Sequence, residues 1–221
     1  MKEILDETVA EAAYEKKVVL FKKALLLASA AGVIIIILLS LYSIREEKIT
    51  SLNSEISNLL FKSINNPDNQ EYVAKLLDKI NGQDTAATNL AKLYLFGVDV
   101  KNKNFPSAVT ILHEIISSPK ASDIIKNYAK INMISISLDH PDLVPNIYTE
   151  RYAQEIEVSS MPLVHNGKII KSLYLIKNGK PKEAKALAES LLSDSNTSQE
   201  IQIQAQAIIA NMEYEKKTLK P

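Results

Sequence analysis

The sequence predicts an all-α protein: a single N-terminal transmembrane helix followed by an α-solenoid. Three observations carry that reading. Ala24 to Ile44 (ALLLASAAGVIIIILLSLYSI) runs for 21 residues without a charged side chain. Beyond it, apolar residues recur at three- and four-residue steps in stripe after stripe, each stripe closed by Gly, Asn or Pro. Glycine numbers only five in 221 residues, too few for the many left-handed turn positions of an all-β domain.

The uncharged run fixes the predicted domain order: a cytosolic tail over 1–23, a transmembrane helix over 24–44 and a helical domain over 45–221. At ~1.5 Å per residue the run reaches roughly 32 Å as a helix, which matches a hydrocarbon core of ~30 Å. A cleaved signal peptide fits poorly. Twenty-three mixed-charge residues precede the run, and Leu41-Tyr42-Ser43-Ile44 ends it without a small-x-small site. The run therefore reads as an uncleaved signal anchor. Lys16, Lys17, Lys22 and Lys23 lie on its amino side, against Arg45 and Lys48 on the other. The positive-inside rule then predicts a cytoplasmic amino terminus; in a bacterium that would be an inner-membrane protein with residues 45–221 in the periplasm.

Composition narrows the function classes. Basic and acidic residues balance at 26 each, so no cationic surplus points to nucleic acid. Cysteine is absent, which removes disulfides and thiolate chemistry. The domain must be stabilised by its core alone.

In chain order, Ile49, Leu52, Ile56, Leu59 or Leu60, and Ile64 form the first stripe, ended by Asn65-Asn66-Pro67-Asp68. Tyr72, Val73, Leu76, Leu77 and Ile80 form the second, closed by Asn81-Gly82. Ala86, Ala87, Leu90, Ala91, Tyr94 and Leu95 follow, with Gly97 as the expected stop. Pro106 opens Ala108, Ile111, Leu112, Ile115 and Ile116, which end at Ser118-Pro119. Ile124 to Ile134 continue to His140-Pro141. Residues 141–166 contain three prolines, and a broken helix is expected around Ile147 to Val158. Ile169 to Ile176 stop at Asn178-Gly179, and Pro181 opens Ala184 to Leu192. Ile201 to Met212 complete the domain.

One stretch is more specific. Gly179-Lys180-Pro181-Lys182-Glu183-Ala184-Lys185-Ala186-Leu187-Ala188 resembles the turn and second helix of a tetratricopeptide (TPR) repeat. Asn104-Phe105-Pro106-Ser107-Ala108 repeats the theme, each turn preceded by a helix with a small residue and a Tyr: Ala91 and Tyr94, then Ser172 and Tyr174. Ala108 and Ala184 are 76 residues apart, where two 34-residue repeats would give 68. The repeats are thus degenerate, with an insertion expected in 141–166. Ala108, Ala184 and Gly179 are the candidate structural residues, placed where paired helices touch.

With the Lys16 to Lys23 segment and one span, this layout resembles bacterial one-pass proteins with a TPR-like periplasmic domain, the family of the ancillary SecYEG translocon subunit. The resemblance implies an inner-membrane accessory factor whose domain meets the Sec translocon, periplasmic chaperones or exported clients. An envelope assembly factor or structural spacer shares every one of these features.

Catalytic patterns are missing. His113, His140 and His165 have no metal-ligating partner at helical spacing. The isolated glycines make no phosphate loop, and neither Gly-x-Ser-x-Gly nor His-Glu-x-x-His occurs. A tethered hydrolase is the weaker alternative to an interaction protein, and no cofactor is expected.

Overall fold

The computed structural model describes residues 42–67, 69–158 and 163–218. They form nine α-helices and no strand. Helix α1 covers 42–65; α2 is Gln70–Ile80, α3 Ala86–Lys101, α4 Phe105–Ser117 and α5 Asp123–Asp139. Then come α6 Asn146–Val158, α7 Val164–Lys177, α8 Pro181–Ser193 and α9 Gln199–Thr218. The expected tail over 1–23 and the span over 24–44 lie outside the described residues, apart from Tyr42, Ser43 and Ile44, which are helical and exposed. No described helix is long and apolar enough to cross a membrane. The chain divides into two units, Met1–Leu52 and Asn53–Pro221, and helices α2 to α9 all belong to the second.

From α2 to α9 each helix packs on the next, and α5, α7 and α9 also touch their second neighbours. Contacts of this range build a stack of helix pairs, each stabilised by the one before and after it. The register of the stack can be read from its most buried small residues. Ala91, Ala129, Gly167 and Ala205 are buried on α3, α5, α7 and α9, each 38 residues after the last (91 to 129, 129 to 167, 167 to 205). A small side chain at that point lets a neighbouring helix approach closely. Gly167 shows how closely: a Cβ added there would lie 1.9 Å from Ile156 Cγ2 on α6.

The even-numbered helices carry a second register. Ala108, Leu112 and Ile115 on α4, Thr149, Ala153 and Ile156 on α6, and Ala184, Ala188 and Leu191 on α8 are all nearly solvent-free. Each trio has the same i, i+4, i+7 spacing, one face of a helix. Full burial of a side chain such as Ile115 contributes roughly 1.5–3 kcal/mol. Two units of 38 residues account for the 76 between Ala108 and Ala184, so the expected insertion in 141–166 is absent. Helix α6 is merely shifted, 41 residues after α4 and 35 before α8 (108 to 149, 149 to 184), and runs unbroken for 13 residues. Pro141 and Pro145 fall in the turn before it, where a missing N–H costs no helix bond. Ion pairs keep to the same registers. Lys92 Nζ meets Glu114 Oε2 at 2.8 Å, and one unit later Lys130 Nζ meets Glu155 Oε2 at 2.6 Å.

The α3–α4 and α7–α8 turns are built alike, bond for bond. After α7, the Gly179 N–H donates to Ile176 O at 3.0 Å and the Lys180 N–H to Leu175 O at 2.8 Å. After α3, the Lys103 N–H donates to Val100 O at 3.0 Å and the Asn104 N–H to Asp99 O at 2.8 Å. Both are Schellman ends, which need a left-handed residue just past the helix. Gly179 supplies φ +72° and Lys103 φ +60°. This motif, and not Gly97, ends α3: Gly97 lies mid-helix, at the modest cost of a helical glycine. Pro106 and Pro181 then enter the first turn of the next helix.

The core has two parts. One joins Phe96, Leu112, Ile115, Met133, Ile134 and Ile156 across α3 to α6. The other joins Ile169, Ala184, Leu191, Ala205 and Ile208 across α7 to α9. Helix α7 serves both, since Ile170 and Tyr174 pack on the first while Ile169 and Leu175 enter the second. A helix covered on two sides has little amphipathic contrast, and the adjacent Ile169-Ile170 reflects that.

Two outcomes test this frame by thermal or denaturant melting of the full chain in mild detergent. Lys103→Gly relieves a strained lysine and should stabilise the fold by about 1 kcal/mol, while Gly179→Ala should lose a similar amount. Equal melting of both variants and parent would rule out strain at the left-handed turns. Gly167→Ala should destabilise by roughly 1–3 kcal/mol, because Ile156 branches next to its backbone and cannot swing clear. A Gly167→Ala variant as stable as the parent would show that α6 and α7 do not approach this closely.

Candidate functional site

The stack is least complete at its first pair. Leu76 and Ile80 of α2 are buried, yet neither belongs to the two core clusters. A cleft of about 1060 Å³ opens where α2, α3 and α4 diverge. Val73, Leu77, Leu95, Val98 and Ile111 give it apolar walls. Asp78, Asp84, Asp99 and Glu114 add four carboxylates, against Lys92. A second cleft of about 770 Å³ lies between α2 and α3, with Tyr94, Gly97 and Lys101. Val73, Ala74 and Leu77 face both. Leu77 is 57% exposed although the spacing of its stripe points it inward.

Helix α2 buries Leu76 and Ile80, and polar contacts add to its hold. The Asn69 side chain accepts the Glu71 N–H at 3.0 Å as the N-cap. Glu71 and Lys75 pair at 2.6 Å one turn apart, which lowers the carboxyl pKa and raises that of the ammonium. Near the other end Lys79 pairs with Glu55 of α1. The Tyr94 hydroxyl donates to Ser63 O at 2.9 Å and ties α3 to α1. Burial raises the pKa of that phenol.

Behind the main cleft lies a buried polar knot. Ser118 Oγ donates to Asp84 Oδ1 at 2.5 Å. It accepts Asn89 Nδ2 at 2.9 Å and the N–H groups of Lys120 and Ala121, both at 3.0 Å. Asn89 is fully buried, and its Oδ1 has no partner among the described residues. The knot fastens the start of α3 to the end of α4. Its counterpart lies 76 residues on, where His165 Nε2 meets Asp194 Oδ2 at 3.2 Å. Asp194 Oδ1 accepts the Asn196 N–H at 2.9 Å. In both knots the side chains that meet are 29 residues apart.

The three histidines fall in different places. His165 has the Asp194 partner that helical spacing could not show. His140 lies tilted against Phe105 with centroids 4.1 Å apart, and His113 meets Tyr148 edge-on at 5.9 Å. Among the described residues no three His, Cys, Asp or Glu side chains gather as a metal site. Ala108 and Ala184 are fully buried at their helix pairs. Gly179 has a different role from the helix contact expected of it. Nothing lies within 4 Å of where its Cβ would be, so it serves the turn's backbone geometry instead. Sequence reasoning missed Gly167, the real close approach, and the cleft-lining residues of α2. Laying residues 89–121 over 165–197 would have paired Asn89 with His165 and Ser118 with Asp194.

Fold and cleft together define an all-α protein assembled from repeated helix pairs, with an apolar, carboxylate-bearing groove at its first pair. The chain belongs to the family described as "Protein of unknown function (DUF2659)", whose model matches residues 1–212. It is 31% identical over 220 residues to "Uncharacterized protein RP231" of Rickettsia prowazekii (strain Madrid E), covering 96% of this chain and 99% of that protein. No solved structure matches it.

The His165–Asp194 knot has a pH signature. The Asn196 backbone N–H, aided by His165, holds the Asp194 carboxyl below its ordinary pKa. A lowered folded pKa means the stabilisation is present above the unfolded value, near pH 4, and is lost as pH falls through the folded one. Asp194→Asn should therefore melt below the parent at pH 7, with the gap narrowing only as pH falls below the unfolded value and through the lowered folded one. A gap that stays constant from pH 7 to 2 would contradict a charged Asp194 in this role.

Proposed function

We propose that this protein is a membrane-anchored interaction protein, and that its helical stack is a TPR-like α-solenoid offering a groove to a protein partner. The observation that carries the reading is the open apolar cleft beside α2, in a fold whose helices α3, α5, α7 and α9 carry Ala or Gly at a regular 38-residue step. Such a step lies between the ~34 residues of a TPR and the ~40–47 of HEAT-type repeats. Stacked helix pairs of this kind present extended surfaces and use them to bind other chains.

The anchor is the uncharged Ala24 to Ile44 run, and its lysine bias supports a cytoplasmic amino terminus with the stack in the periplasm. In that setting the Sec translocon, periplasmic chaperones and exported clients are the partners to test. The reading is of a binding protein and not an enzyme.

The test has two parts. Alkaline phosphatase fused after Pro221 should be active and, fused after Lys23, inactive; the reverse would overturn the proposed topology. A photo-crosslinking residue in place of Leu77 should join the protein to a defined partner in cells, while one in place of Ile147, exposed on α6, should not. Failure of the Leu77 probe to crosslink, or equal labelling from both sites, would remove the cleft as a docking site.

A further inference from the structure

Resting on the interaction reading above, we infer that the cleft between α2, α3 and α4 takes a cationic, apolar peptide segment: aliphatic side chains for the groove and Lys or Arg for its rim. Charge complementarity points to this occupant. The groove is lined by carboxylates and aliphatic side chains, with Lys92 as its cation. Lys92 is already bound by Glu114 at 2.8 Å, and only 14% of its side chain is exposed. Ser118 engages Asp84 from behind at 2.5 Å. That leaves Asp78 and Asp99, neither with an ion-pair partner among the described residues. Asp99 accepts a bond from Asn104 Nδ2 at 3.3 Å, which fixes a carboxylate without neutralising it.

The apolar element is equally specific. Leu77 stands 57% exposed beside Asp78 on α2, more open than Leu90 at 49% or Leu173 at 38%, and it lines the cleft. Burying such a side chain on binding is favourable at roughly 25 cal/mol per Å². Carboxylates beside it attract a cationic partner, and repel an anionic one of the same hydrophobicity. A volume of about 1060 Å³ accepts several side chains of a peptide but is open to solvent along its length. The occupant is therefore a segment laid along the groove.

The experiment uses the full chain in mild detergent and two labelled peptides of about twelve residues, identical in their Leu and Ala positions. One carries four Lys and the other four Glu. Fluorescence anisotropy should show the lysine peptide binding at least about tenfold more tightly, with that margin shrinking as salt rises. Asp78→Lys should weaken its binding about fivefold or more, and Asp78→Asn by less. Ile147→Asp should leave it unchanged. Equal affinity for the two peptides, no binding of either, or unchanged affinity in both Asp78 variants would overturn the inference. If Leu77 crosslinks a cellular partner while the lysine peptide fails to bind, only the cationic occupant is refuted. If Leu77 crosslinks nothing and neither peptide binds, the docking reading fails as well.

Discussion

Everything in this stack depends on how closely consecutive helices can approach. The spacing is set at one position on each of α3, α5, α7 and α9, where Ala91, Ala129, Gly167 and Ala205 present almost no side chain. Larger residues there would push the pairs apart, and the trios Ala108-Leu112-Ile115, Thr149-Ala153-Ile156 and Ala184-Ala188-Leu191 would lose their contacts. Dispersion falls steeply with distance, so a small error in approach is multiplied over every contact in the layer. The glycine falls at the α6–α7 approach, where the facing side chain is a β-branched isoleucine.

Close approach also needs turns that return the chain at a fixed angle. The Schellman ends at Lys103 and Gly179 do this with the same hydrogen bonds, five residues before Ala108 and Ala184. Polar knots then lock the far ends of the same pairs: Asn89 with Ser118, and His165 with Asp194. A lysine–carboxylate bridge spans the middle of two successive pairs. The chemistry has drifted between units while the geometry has been kept. A carboxylate replaces a hydroxyl and an imidazole replaces an amide, because each position requires only one donor facing one acceptor across the gap. Thr149 shows drift without compensation: it stands where the other units have alanine, and its hydroxyl is buried without a partner among the described residues.

The first pair departs from this regularity, and the cleft is the result. Helix α2 has 11 residues against 16 in α3, and it buries only Leu76 and Ile80. Its remaining apolar surface, around Val73, Ala74 and Leu77, lines the two clefts. A stack needs each member covered on both sides, and where cover is missing an apolar groove opens to solvent.

The sequence by itself determined the helical class, nearly every helix end and the 76-residue kinship of the two alanine turns. These are local matters: apolar periodicity, capping side chains and proline placement act within a few residues. It also placed Ala108 and Ala184 five residues past the turn that returns the chain. Only the tertiary structure decided the true step of 38, the continuity of α3 through Gly97 and of α6 after Pro145, and the separate roles of Gly167 and Gly179. It alone brought His165 to Asp194 and turned Leu77 outward beside four carboxylates. Those outcomes depend on which helix lies across a gap and how far away it is. Periodicity within one helix carries no information about that, because it records which face is apolar and not what comes to cover it.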